Sequence, residues 1–317
     1  MGSVYMVRYI LKRIVASILT LVLVAVITFV VMNAIPGSPF LTENSTVEQM
    51  ELANAKYGLD QPKIVQMKNY FVGYLHGDMG TSLTMQRDVP VTDIIFHQGK
   101  FTLSIKLGAL ALLVTVVVGI PLGCLAAYNR GKWIDNLLNV FSTIGIAIPN
   151  FVVATVLLML FSVKLGWLPA NSGSLADIKS LIMPVAALSL YYTCYVAKLT
   201  RTSMLDAINQ DYIRTARAKG LKTGKIIFKH ALRNSLIPVV TYLGPLTAGL
   251  LCGAFVVETT FAIPGLGNYF VNSIIDRDYP IIMATTIVLS AFVIAMNLIV
   301  DIVYKIVDPR IALTKGE

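Results

Sequence analysis

Long apolar runs separated by polar stretches dominate this chain. Ile14 to Ala34, Leu107 to Ala127, Leu137 to Val163, Leu181 to Val196, Leu236 to Val257 and Ile281 to Val303 are nearly free of charge. A helix that crosses a bilayer needs roughly 20 apolar residues. Five runs meet that length. The shorter Leu181 run includes the polar Thr193 and Cys194 at low cost, and Lys198 can snorkel from its end. The pattern predicts an all-α polytopic membrane protein with six transmembrane helices.

The polar stretches divide the rest. A basic lead-in at 1–13 precedes the first transmembrane helix at 14–35, which two prolines in Asn33-Ala-Ile-Pro-Gly-Ser-Pro should stop. An extracytoplasmic loop domain of about 60 residues is expected at 36–100, because it lacks a spanning run yet keeps helical periodicity. Thr46 to Tyr57 reads as one helix, with Ser45 as cap and Glu48 three residues on. Pro62 to Leu75 reads as a second, with Met67, Phe71, Tyr74 and Leu75 on one face, and His76-Gly-Asp-Met-Gly as a turn. A five-helix core follows at 101–310, interrupted by a basic loop at 198–235, and 311–317 is a tail. Gly119, Pro121, Gly123, Gly145, Pro149, Pro184, Pro238, Gly244, Pro245, Gly249 and Gly253 fall inside the runs, where small residues permit close helix packing and prolines free carbonyls. After the fifth run, Glu258-Thr-Thr-Phe-Ala-Ile-Pro-Gly-Leu-Gly-Asn-Tyr-Phe reads as a turn and a short helix beginning near Leu266, a hinged plug rather than a strand.

Charge sets the orientation. The 317 residues carry a net charge of +9 with only 14% charged residues, against about 25% in soluble domains. Lys198 to Arg233 holds nine Lys or Arg against two Asp, whereas Pro36 to Gln98 holds four against seven Asp or Glu. Basic loops stay on the cytoplasmic side, so both termini are expected there, and the positive charge serves topology rather than nucleic acid. The first run is longer than a signal-peptide core and Met32-Asn-Ala-Ile-Pro-Gly-Ser offers no convincing cleavage site. Cys124, Cys194 and Cys252 lie in apolar runs without metal or disulfide spacing.

Chemistry is sparse. Gly220-Leu-Lys-Thr-Gly-Lys-Ile has three residues between its glycines and Ile226 after the lysine, so it does not make a phosphate-binding loop. Gly265-Leu-Gly267 lacks the third glycine of a dinucleotide fingerprint, and His76, His97 and His230 are far apart in sequence. Lys106, Glu258 and Asp301 lie near span ends, so no ion-coupling acid stands out within the spans. An intramembrane enzyme lacks a catalytic pair. An ion-coupled secondary transporter lacks its acid. A scaffold or sensor subunit stays open.

The basic loop reads as two short helices meeting at a glycine. Ser203 to Ala218 places Leu205, Ile208, Tyr212 and Ala216 on one stripe. Gly220 breaks the helix by accepting a positive φ. Thr223 to Asn234 forms the second, with Ile227, Ala231 and Leu232 available to pack. Such an element is either a force- or signal-receiving knob or a positive-inside surface helix.

Asp211-Tyr-Ile-Arg-Thr-Ala-Arg-Ala-Lys-Gly-Leu resembles the glycine-centred EAA loop of ABC import permeases, in the form found in the peptide-permease branch. Arg214-Thr-Ala occupies the Glu-Ala-Ala triplet, and the usual proline is delayed to Pro238. Ala34-Ile-Pro-Gly-Ser-Pro-Phe, Tyr57-Gly-Leu-Asp-Gln-Pro, Pro149-Asn-Phe-Val-Val-Ala, Leu165-Gly-Trp-Leu-Pro, the Glu258 stretch and Val307-Asp-Pro-Arg are similar to the B-type subunit of the peptide and nickel family. Gly37-Ser-Pro-Phe and His76-Gly-Asp incline toward the oligopeptide member, with dipeptides, nickel or glutathione as alternative cargo. The resemblance implies a non-catalytic subunit in a bacterial plasma membrane. Its partners would be a homologous C-type permease, two cytoplasmic ATPases that bind ATP and Mg, and an extracytoplasmic peptide-binding protein. Tyr212, Arg214, Thr215, Ala216, Arg217, Lys219, Gly220 and Leu221 would then couple to an ATPase. Glu258, Phe261, Pro264, Gly265 and Gly267 would form an outer gate or binding-protein contact, and Asn150 and Tyr191 would line the pathway.

Overall fold

The computed structural model describes residues 2–34, 38–40, 46–170 and 177–307. The Pro36-Gly37 stop, the Ser45 cap and the 311–317 tail lie outside them. The helices are α1 (Gly2–Ala34), α2 (Val47–Lys56), α3 (Lys63–Leu75), α4 (Lys100–Tyr128), α5 (Trp133–Ala147), α6 (Asn150–Leu157), α7 (Ile178–Ile208), α8 (Asp211–Ala218), α9 (Thr223–Lys225), α10 (Leu232–Thr260), α11 (Leu266–Ile275) and α12 (Tyr279–Val307). Wider π-helical turns cover Asp93–His97, Leu158–Lys164 and Ile226–Ala231. No strand forms among the described residues beyond an isolated bridge between Thr81 and Pro90. The basic lead-in is not separate, because α1 already begins at Gly2.

Among the described residues five helices are long and apolar enough to cross a membrane, and a bent pair makes a sixth candidate. The third run is therefore not one straight helix. Its halves, α5 and α6 with its π-helical extension, meet at 100°. The cause is local. A residue before proline is pushed out of the helical region, and Ile148 is extended at φ −83°, ψ 123°. Pro149 then starts a new helix at Asn150.

The described residues pack as two compact units, those within 1–104 and 264–294, and those within 105–263 and 295–307. In the first, α2 begins one residue later than expected. Thr46 is the cap, and its capping-box partner is Gln49 rather than Glu48. On α3, Met67, Tyr70, Phe71 and Tyr74 pack against Phe29, Phe40, Leu83 and Met283. Leu75, expected on that face, is 86% exposed. Burial raises the pKa of both Tyr70 and Tyr74. At the surface Lys56 donates to both Asp88 carboxylate oxygens, at 2.8 and 2.9 Å, and the Tyr57 hydroxyl adds a bond. These partners hold the Asp88 carboxyl below its ordinary value.

Asp278 is the anchor of this unit. It is fully buried. Its Oδ2 accepts from Ser82 Oγ at 2.5 Å and from the backbone N–H groups of Leu83, Thr84 and Met85 at 3.0–3.1 Å. Successive N–H groups form an anion-holding nest, and here a carboxylate nearly 200 residues away in sequence fills it.

The second unit is built around α7. A side chain on Gly119 or Gly123 of α4 would meet the α7 backbone at Thr193 or Ala197. One on Gly145 of α5 would meet Cys194, and one on Gly249 of α10 would meet Tyr192. Four small positions on three helices therefore let neighbours approach α7 closely, the route by which apolar helices associate in lipid without a hydrophobic driving force. Met183, Ala187, Leu188 and Val196 of α7 join Leu107, Ala154, Leu246 and Val257 in the core.

Candidate functional site

The basic loop folds as a knob on the second unit. Helix α7 runs on to Ile208, so the expected single helix from Ser203 to Ala218 is broken at Asn209-Gln210, and Gln210 takes the N-cap position of α8 without a side-chain bond to it. The buried stripe also shifts. Ile213 and Ala216 face inward against Ala207, Ile226 and Ala231, with Ile208 and Leu221 at the margin. Tyr212, placed by sequence on the packed stripe, is 40% exposed. The second helix of the knob begins at Thr223 as expected, but it continues through a π-helical turn into α10 instead of ending near Asn234. Ile227 packs there with Cys124, Ala127 and Met204.

The α8 terminus explains the glycine. Leu221 N–H donates to Ala216 C=O at 3.3 Å, and Gly220 N–H donates to Arg217 C=O at 2.9 Å. Gly220 has φ +72°. This is a Schellman closure, with its usual apolar contact supplied by Leu221 against the Ala216 cluster. Open space surrounds Gly220, because a side-chain carbon there would meet nothing within 4 Å. Tyr212, Arg214, Thr215, Arg217 and Lys219 are exposed around it. Arg214 makes only a surface pair with Asp211 at 3.4 Å. The result is a basic rim and an exposed tyrosine on an apolar-backed helix.

Sequence reasoning missed what ties α7, the helix that leads into the knob, to α5. Arg201 of α7 grips Asp135 of α5 through two parallel bonds, Nε to Oδ1 at 2.6 Å and Nη2 to Oδ2 at 2.8 Å. Gly131 N–H and the Asn139 side-chain amide also donate to that carboxylate. Asp135 is nearly fully buried. Paired forks of this kind are the strong, directional ion pairs. The available signal was Asp135 itself, a lone acid just after the basic Arg130-Gly-Lys132.

The other expected residues separate. Glu258 and Phe261 are fully buried at the end of α10, in the second unit. Pro264, Gly265 and Gly267 lead into and open α11, in the first unit. Asn150 is the first residue after the α5–α6 bend, and Tyr191 lies near the middle of α7; both are half-buried. Among the described residues no three His, Cys, Asp or Glu side chains converge as a metal site.

A family model described as "binding-protein-dependent transport system inner membrane component" matches residues 119–313, and the corresponding N-terminal model matches residues 6–116. The chain is 43% identical to the dipeptide transport system permease protein DppB of Bacillus subtilis over 311 residues, 98% of this chain and 99% of that protein. It is 40% identical to the oligopeptide transport system permease protein OppB of Haemophilus influenzae over 96% of this chain and 99% of that one. Among solved structures, an inward-facing MetNI methionine ABC transporter matches with a TM-score of 0.57 at 18% identity, covering 68% of this chain and 96% of that one.

Proposed function

The chain belongs to the family of binding-protein-dependent transport system inner membrane components, as a multi-pass permease of the peptide-transport ABC importers, and on that premise we propose that it forms half of a peptide pathway and is driven from its basic knob. Near-complete alignment at about 40% identity with both oligopeptide and dipeptide permeases carries the cargo reading. Oligopeptides are the first reading, from the Gly37-Ser-Pro-Phe and His76-Gly-Asp motifs. Dipeptides are the second, from the 43% relative.

In this reading the chain is a non-catalytic subunit of a bacterial plasma membrane transporter, with both termini and the knob in the cytoplasm. A homologous C-type permease completes the pathway. Two cytoplasmic ATPases hold ATP and Mg, and an extracytoplasmic binding protein delivers peptide. Closure of the ATPases moves α8, and Arg201–Asp135 passes the displacement from α7 to α5 as a rigid-body step. Exposed Tyr212, Gly220 and the basic rim of Arg214, Arg217 and Lys219 meet the ATPase, with Thr215 among them, while Ala216 and Leu221 hold the knob together. The turn from Glu258 to Gly267 serves the outer gate.

Comparing Gly220→Trp with Gly220→Asn tests the coupling site. Asparagine tolerates positive φ, so it preserves the turn, whereas tryptophan fills the open space. ATPase docking and peptide uptake should both fall with Trp and persist with Asn. Intact docking and normal uptake in the Trp variant would sink the assignment.

A further inference from the structure

Three tyrosines form a ladder in the middle of the second unit. Tyr191 and Tyr195 lie one turn apart on α7, with ring centroids 6.4 Å apart and planes within 23°. Tyr242 of α10 continues the stack, 4.4 Å from Tyr195 at 28°. The candidate spanning stretches run over Ile178–Ile208 and Ile226–Thr260, and all three rings fall within them.

These hydroxyls are not satisfied from within. All three rings are half-buried, and no hydroxyl among them has a hydrogen-bond partner in the described residues. Neighbouring Tyr192 contrasts with them, since it is buried in the core against Gly249. Pro238 and Pro245 flank Tyr242 inside α10. Each proline removes a helical N–H and frees a carbonyl one turn earlier, at Asn234 and Thr241. Unpaired backbone at membrane depth is tolerated only against protein or a water-filled cavity. Lys198 lies three residues beyond Tyr195 on the same face. It is exposed, and no ion pair from it occurs among the described residues.

We propose that Tyr191, Tyr195 and Tyr242 form a contact surface for peptide between α7 and α10, with Lys198 at its cytoplasmic end drawing the peptide's terminal carboxylate. The inference rests on the peptide-permease reading. Tyrosine faces stack on amide planes and on aromatic side chains regardless of sequence, and the hydroxyls can bond successive peptide N–H and C=O groups. Such a surface accepts varied peptides and favours aromatic ones.

The test uses the assembled transporter in proteoliposomes. Tyr195→Cys, Tyr242→Cys and, as a buried control, Ala187→Cys are exposed to a water-soluble maleimide with and without ATP. Uptake of trialanine, of a tripeptide with central phenylalanine, and of trialanine amide is then followed in Tyr195→Phe, Tyr195→Ala, Tyr242→Ala and Lys198→Gln. We expect the first two cysteines to be labelled in at least one state and protected by peptide, while the control is not. The preference for the phenylalanine peptide over trialanine should fall about tenfold in the Ala variants and persist in Tyr195→Phe. Lys198→Gln should raise the KM for trialanine several-fold and leave trialanine amide unchanged. Cysteines that stay unlabelled in every state would place the ladder against lipid or the partner permease and overturn the proposal. So would labelled cysteines with unchanged peptide preference. Failure of the unaltered transporter to take up any peptide would instead remove the cargo reading.

Discussion

Helices α8 and α10 end with the same pair of hydrogen bonds around different residues. At α8 the closure runs from Leu221 to Ala216 around Gly220 at φ +72°. At α10 it runs from Ile263 N–H to Glu258 C=O at 2.8 Å, with Ala262 at φ +49° in the glycine position. Glycine adopts this conformation freely, whereas an L-residue is strained by roughly 1–2 kcal/mol. The knob is thus closed without strain, which suits the coupling role proposed for it. The α10 end stores strain, held because Phe261 and Ile263 on either side are fully buried. Strain kept by surrounding packing is a mark of segments that change arrangement, which suits the gate role proposed for this turn.

The comparison breaks most readily at the α5–α7 ion pair. Asp135→Ala leaves Arg201 without its buried partner and should cost about 3 kcal/mol, seen as a lower Tm in detergent. Faster hydrogen exchange across α8 should accompany it. Unchanged exchange there would mean that α8 stands on its cap alone. Next in size, Gly220→Val forces a β-branched residue to positive φ and should cost about 2 kcal/mol, with Gly220→Ala near 1 kcal/mol. Equal losses for Gly220→Asn would locate the effect outside the backbone. The reciprocal change should have the opposite sign. Ala262→Gly relieves strain at an exposed position but adds unfolded-state entropy, for a net stabilisation of about 0.5 kcal/mol. A slower ATP-driven transport rate with that gain would tie the strain to gating.

The smallest effect belongs to another L-residue at positive φ in a turn, Asp88 at +64°. Lys56 and Tyr57 lower its pKa, so its contribution is present above the ordinary carboxylate range and is lost as pH falls through the lowered value. Asp88→Asn tolerates the same φ and should flatten the acid side of the Tm-against-pH curve slightly, leaving Tm near neutrality little changed. A larger loss near neutrality would assign Asp88 a role in packing.

Local chemistry in the sequence foretold the apolar stretches, the α2 and α3 pair, the glycine stop at Gly220 and the helix opening at Leu266, because each depends on neighbours within one or two turns. The 100° bend at Pro149 was visible only as a proline, since the same residue type stays inside continuous helices at Pro121, Pro184, Pro238 and Pro245. Which face of α8 packs was misread by one residue, Ile213 for Tyr212, because Asn209-Gln210 resets the helical phase. Asp135–Arg201 spans 66 residues, and no periodicity reports a pairing at that distance. The tyrosine ladder joins two spans and was legible only as Tyr191.

The carboxylate nest at Asp278 also sets an order of events during biosynthesis. Ser82, Leu83, Thr84 and Met85 leave the ribosome nearly 200 residues before the side chain that completes them. At 5–20 residues per second that delay is roughly 10–40 seconds. Throughout it, the amides that Asp278 will hold must be served by solvent or by a chaperone, so the loop's maturation is timed by the arrival of the last membrane helix.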